Sequence, residues 1–63
     1  MSMDRRLYRF ERIGARTVLQ IFRARPEDAP ACIFWERVKA SEVPALTRGM
    51  AERGILPMSE AHQ

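Results

Sequence analysis

Hydrophobic positions in the first third of the chain recur at a period of two, not 3.6. Through residues 7–23, LYRFERIGARTVLQIFR, the alternation is interrupted at Gly14-Ala15, and a period of two belongs to strands whose successive side chains point to opposite faces. The stretch predicts a β-hairpin turning at Gly14-Ala15. With a two-residue loop, Ile13 faces Arg16, and counting outward sets Phe10 against Leu19, Tyr8 against Ile21 and Leu7 against Phe22. Pairing and alternation then agree. One face carries Tyr8, Phe10, Leu19 and Ile21, with Arg12 and Thr17 near the turn. The other carries Leu7, Arg9, Glu11, Ile13, Arg16, Val18, Gln20 and Phe22. Glycine in the first loop position suits a type II′ turn, whereas a longer loop would shift the register by one and exchange the faces of one strand.

Residues 24–31, ARPEDAPA, hold two prolines and two acids without apolar periodicity and are expected to be a loop. The aromatic and β-branched run at 32–38, CIFWERV, predicts a third strand, with Cys32, Phe34 and Val38 on the core side and Ile33, Trp35 and Arg37 on the other. A helix beginning at Pro30 is the competing assignment. Ser41 then has the character of an N-cap, with Glu42 and Pro44 in the first turn of a helix. Val43, Leu46 and Met50 form its apolar stripe, while Arg48 and Glu52 face water. Gly49 either lets this helix approach the sheet closely or is a tolerated helix defect. Gly54 fits a left-handed C-cap with Ile55 as its hydrophobic contact, and Pro57 prevents the helix from resuming. Residues 1–6 and 58–63 are expected to be flexible ends, with Leu56 or Met58 available to fold back on the sheet.

The expected fold is α+β: one domain over residues 1–63, a three-stranded antiparallel sheet in β-β-β-α order, and one C-terminal helix packed on one face. A single helix covers a single face. Tyr8, Phe10, Leu19, Ile21 and Phe34, with Cys32 and Val38, are assigned to the covered side.

Size and composition narrow the function. At 63 residues the chain buries only about 60% of the surface it exposes when unfolded, which argues against a deep catalytic cleft. Cys32 is the single cysteine and His62 the single histidine, so an internal disulfide and a thiolate-rich zinc site are ruled out. A Cys32–His62 nucleophile would join a strand thiol to a histidine beside the chain end, and Glu27-Asp28 lacks a pocket to split its pKa values. No catalytic residue, metal, cofactor or small-molecule substrate is expected. The longest apolar runs fall far short of the roughly 20 residues that cross a bilayer, and the N-terminus has no signal-peptide h-region, so a cytoplasmic protein is expected.

Eleven basic residues oppose eight acidic ones, for a net charge of +3. That balance permits a polyanionic partner without demanding one. Ten of the eleven bases are arginine, which suits bidentate contact with phosphate or carboxylate and stacking on rings. Arg5-Arg6 is a solvated end or a contact for an acidic partner. The strongest functional signal is the second sheet face, where Arg9, Arg16, Gln20, Phe22, Trp35 and Arg37 join apolar neighbours. Arginine and large aromatics are enriched in binding hot spots, and they also serve nucleic acids through phosphate contact and base stacking. The β-β-β-α order with an arginine-bearing sheet is similar in outline to DNA-binding domains that lay a three-stranded sheet into the major groove, such as the plant AP2-type domain and the arm-binding domains of phage-type integrases. That likeness is one of architecture, without a shared residue motif. It implies a non-enzymatic module that binds nucleic acid or a nucleoprotein. The alternative is a protein-binding inhibitor or adaptor of the kind found among phage and mobile-element regulators, including anti-CRISPR proteins, with homodimerisation through the same sheet as a further option.

Overall fold

The period-two alternation folds as the spacing requires. Gly14 takes φ 62° and Ala15 has no positive φ, the sign pattern of a type II′ turn. The computed structural model describes residues 4–58, and its elements run β1 (Arg5–Ile13), β2 (Arg16–Arg25), β3 (Asp28–Val38), a 3-10 turn (Ala40–Glu42), α1 (Val43–Glu52) and β4 (Leu56–Pro57). β1 and β2 pair with Ile13 opposite Arg16, Phe10 opposite Leu19, Tyr8 opposite Ile21 and Leu7 opposite Phe22, as the two-residue loop demands.

The sheet is larger than the expected three strands. Its order is β3-β2-β1-β4, antiparallel through β1 to β3 and parallel where Leu56 and Pro57 of β4 pair with Leu7 and Tyr8 of β1. The polypeptide after the helix therefore adds a short strand instead of a loose return. At the other terminus, Arg5 and Arg6 pair with Ala24 and Arg23, so the expected flexible segment at 1–6 is part of the sheet from residue 5 onward. Met58 follows β4 and is half-buried. Residues 1–3 and 59–63 lie outside the described residues, as does His62.

The expected loop at 24–31 is also mostly strand. Only Pro26 and Glu27 turn, with Pro26 second in the four-residue turn from Arg25 to Asp28, where its φ is already suitable. Pro30 is accommodated because β3 is an edge strand and Ala29-Pro30 fall within a break in the register between Ala31 and Asp28. Prolines that suggested a loop thus sit where a sheet accepts them.

A second break matters more. Phe34 pairs with Ile21 and Cys32 with Phe22, leaving Ile33 as an extra residue in β3, the signature of a β-bulge. Two consequences correct the expected faces. Cys32 moves to the face of Phe22 and is exposed, not in the core. Ile33 joins Ile21 and Phe34 around one concavity on the helix side.

The core lies under the helix. Tyr8, Leu19, Met50 and Ile55 are its buried residues, with Phe10, Ile21 and Val38 packed against them, and the Tyr8 and Phe10 rings meet edge to face at 5.8 Å. Phe34 was expected here but remains 45% exposed. The reason is length: ten helical residues span about 15 Å, whereas the molecule extends 38 Å along its longest axis. α1 covers the central strands and, on β3, only Val38.

Both helix ends are closed locally. The expected Ser41 cap does not form; Ser41 lies inside the 3-10 turn. The Glu42 carboxylate instead accepts from the Lys39 N–H at 3.1 Å, and Pro44 occupies the first turn of α1. At the C-terminus, the Ile55 N–H donates to Met50 O at 2.9 Å and the Gly54 N–H to Ala51 O at 3.1 Å, with Gly54 at φ 75°. This is a Schellman motif, and its buried Ile55 and Met50 supply the accompanying apolar contact. Gly49 has no such role. A Cβ built there meets nothing within 4 Å, so close approach to the sheet does not explain it.

The two helix glycines should respond oppositely in urea unfolding. Gly49→Ala should raise stability by about 0.5 to 1 kcal/mol, because alanine removes the entropy cost of a mid-helix glycine. Gly54→Ala should lower it by about 1 to 2 kcal/mol, because a Cβ is strained in the left-handed region.

Candidate binding surfaces of the sheet

The register orders the open face into rows. One row runs Cys32, Phe22, Leu7 and Leu56 across the four strands; the next holds Trp35, Gln20 and Arg9; the third holds Arg37, Val18 and Glu11; the last pairs Arg16 with Ile13. All six residues singled out from the sequence, Arg9, Arg16, Gln20, Phe22, Trp35 and Arg37, therefore share this face. They are not equally available. Trp35 is 62% exposed, and Arg9, Arg16 and Arg37 are exposed, whereas Gln20 and Phe22 are half-buried.

The face also shields its own centre. Leu7 and Val18, expected to point outward into solvent, are buried. Leu7 lies between Phe22 and Leu56, and Val18 between Glu11 and Arg37, whose long aliphatic stems cover a small β-branched neighbour. The exposed apolar surface is thereby confined to Trp35, Ile13 and Leu56 at the margins.

Arg9 is held in a defined position. Its Nε donates to Gln20 Oε1 at 2.6 Å, its guanidinium carbon lies 5.3 Å from the Phe22 ring centroid, and Nη2 approaches Glu11 Oε2 at 3.4 Å. The last pair is exposed and adds little energy, while the hydrogen bond and the cation–π contact fix the fork. Among the described residues Arg16 and Arg37 make no ion pair. The face thus presents Arg9 pre-positioned, Arg16 and Arg37 without an ion pair among the described residues, an indole, and at its far end the exposed Arg5 opposite Ala24.

A second surface, missed in the sequence, lies on the helix side near the N-terminus of β1. Arg6 sits directly opposite Arg23, and Arg25 follows on the same face of β2. Asp4 bridges two of these: Arg23 Nη2 and Nε donate to Oδ2 at 2.8 and 3.0 Å, and Arg25 Nε donates to Oδ1 at 3.1 Å. Beside this cluster, Ile21, Ile33, Phe34 and Ile55 floor an open concavity of about 1010 Å³, with Arg6 and Arg53 among its walls. Extending the hairpin pairing by one residue beyond Leu7 would have shown Arg6 facing Arg23. The bulge that brings Ile33 to this side had no sequence signal.

Among the described residues no three His, Cys, Asp or Glu side chains gather in a way that could hold a metal ion. No helix of the described residues is long and apolar enough to cross a membrane. No protein-family model matches the chain, and no curated protein or solved structure is significantly similar to it.

Cys32 offers a direct check of the bulge. Its thiol is exposed and donates weakly to Phe34 O at 3.4 Å. Since thiol labelling requires access, Cys32 should react with Ellman's reagent in native buffer within about ten-fold of its rate in the unfolded chain. Protection of about a hundred-fold or more would return it to the interior and remove the bulge.

Proposed function

We propose that the protein is a small non-enzymatic binding module that engages a nucleic acid or nucleoprotein through its open sheet face. The observation that carries this reading is the row Trp35, Gln20, Arg9, flanked by Arg37 and Arg16. A largely exposed indole stands beside an arginine already fixed by Gln20 and Phe22, so little side-chain entropy is lost when Arg9 meets a phosphate or a base edge. Arg16 and Arg37 add unpaired charge against the single acid Glu11. Trp35 supplies the ring on which an unpaired base stacks.

A protein partner is the second reading, favoured by the exposed apolar margin of Trp35, Ile13 and Leu56. In that case the protein acts as an inhibitor or adaptor, with Trp35 as the anchor. The two readings part on salt.

Binding of a fluorescent single-stranded or duplex oligonucleotide, measured by anisotropy, should weaken about 40-fold between 50 and 200 mM salt if three arginines each meet a phosphate of duplex DNA. Arg37→Ala should reduce the salt slope by about one. Trp35→Ala should cost about 1 to 3 kcal/mol while leaving that slope unchanged. A salt-independent affinity would reject the nucleic-acid reading and leave the protein partner.

A further inference from the structure

We infer that the concavity on the helix side is a second, separate binding site, and that its occupant is an acidic peptide segment of a partner protein bearing apolar side chains. It lies on the opposite face of the sheet from Trp35 and does not rest on the function proposed for that face.

Like charges directly opposite each other destabilise a strand pair. Arg6 and Arg23 are such a pair on β1 and β2, with Arg25 two residues further on and Arg53 across the concavity. Among the described residues the carboxylate ion-paired with them is Asp4, which also lines the concavity and is taken up by Arg23 and Arg25, while Asp28 stands opposite Arg25 on β3. The geometry already on display is therefore that of arginine forks receiving a carboxylate, with Arg6 and Arg53 left without an ion pair among the described residues.

The floor selects among anions. Ile33 and Phe34 are 50% and 45% exposed, and with Ile21 and Ile55 they present a floor that is mostly aliphatic. Isoleucines receive aliphatic or aromatic side chains but do not offer the flat platforms on which nucleic-acid bases stack. The last turn of α1 also ends here, at Arg53 and Gly54, and its carbonyl end disfavours a polyphosphate more than it does isolated carboxylates. A volume of about 1010 Å³ lies at the upper limit of small-molecule sites. Because β3 is an edge strand whose Ile33 and Phe34 line the concavity, an extended segment can lie in it with apolar side chains on Ile33 and Phe34 and carboxylates at Arg6 and Arg53.

The test uses the full chain, 15N-labelled, titrated with a synthetic hexapeptide alternating glutamate with leucine and phenylalanine. Amide shifts are expected at Ile33, Phe34 and residues 53–55, with those of Gln20 and Arg37 unmoved. The analogue with glutamine in place of glutamate should bind at least about five-fold more weakly. The Arg6→Ala/Arg53→Ala double variant, checked for folding by its own amide spectrum, should lose about ten-fold, as expected for two exposed charge pairs. Trp35→Ala should change nothing here. Absence of binding, shifts confined to the open face, or an unaltered affinity in the double variant would each overturn the proposal. An oligothymidylate probe that shifts the same amides more strongly than the peptide would assign the site to nucleic acid and overturn it equally.

Discussion

Two residues between β1 and β2 constrain nearly everything else in this protein. A strand side chain has only two directions, so the length of the Gly14-Ala15 turn decides which residues meet across the hairpin and which face each of them takes. With φ 62° at Gly14, the turn closes without a spare residue. Tyr8 and Leu19 then lie beneath the helix, and Arg9, Gln20 and Trp35 fall in one row on the other side. One added loop residue would disperse both the core and the row.

The helix sets the second limit. α1 has ten residues, sealed at its end by the Schellman motif that turns Ile55 into the core beside Met50. It buries the middle of the sheet and reaches β3 only at Val38, leaving the other ten of its eleven residues exposed. Ile33, Phe34 and Trp35 are exposed on the same strand, on both of its faces.

Arginine is used in two physical settings. On the open face Arg9 is immobilised by Gln20 and Phe22, while Leu7, between Phe22 and Leu56, and Val18, between Glu11 and Arg37, are buried. On the helix side Asp4 gathers Arg23 and Arg25, which lessens the repulsion that alternation and register build into that end of the hairpin. Both arrangements follow from pairing, and neither needs a deep pocket.

The sequence by itself determined what depends on near neighbours. The register of the first hairpin, the left-handed cap at Gly54, the burial of Met50 from the helix stripe, and the grouping of Arg9, Arg16, Gln20, Phe22, Trp35 and Arg37 on one face were legible, because each follows from a local period or from one residue's backbone preference, whereas Val43 and Leu46 of the same stripe are only half-buried. What required the tertiary structure was whatever depends on which strand lies at an edge and how far the helix reaches. Pro30 reads as a loop until β3 is known to be an edge; Cys32 and Ile33 exchange sides because a bulge adds one residue that no pattern announces. Leu56 and Pro57 become a strand only because the chain leaving the helix passes beside β1, and the cleft beside Arg6 and Arg53 exists only where sheet, bulge and helix end converge. Long-range proximity decides those features, and a period read along one chain carries no information about it.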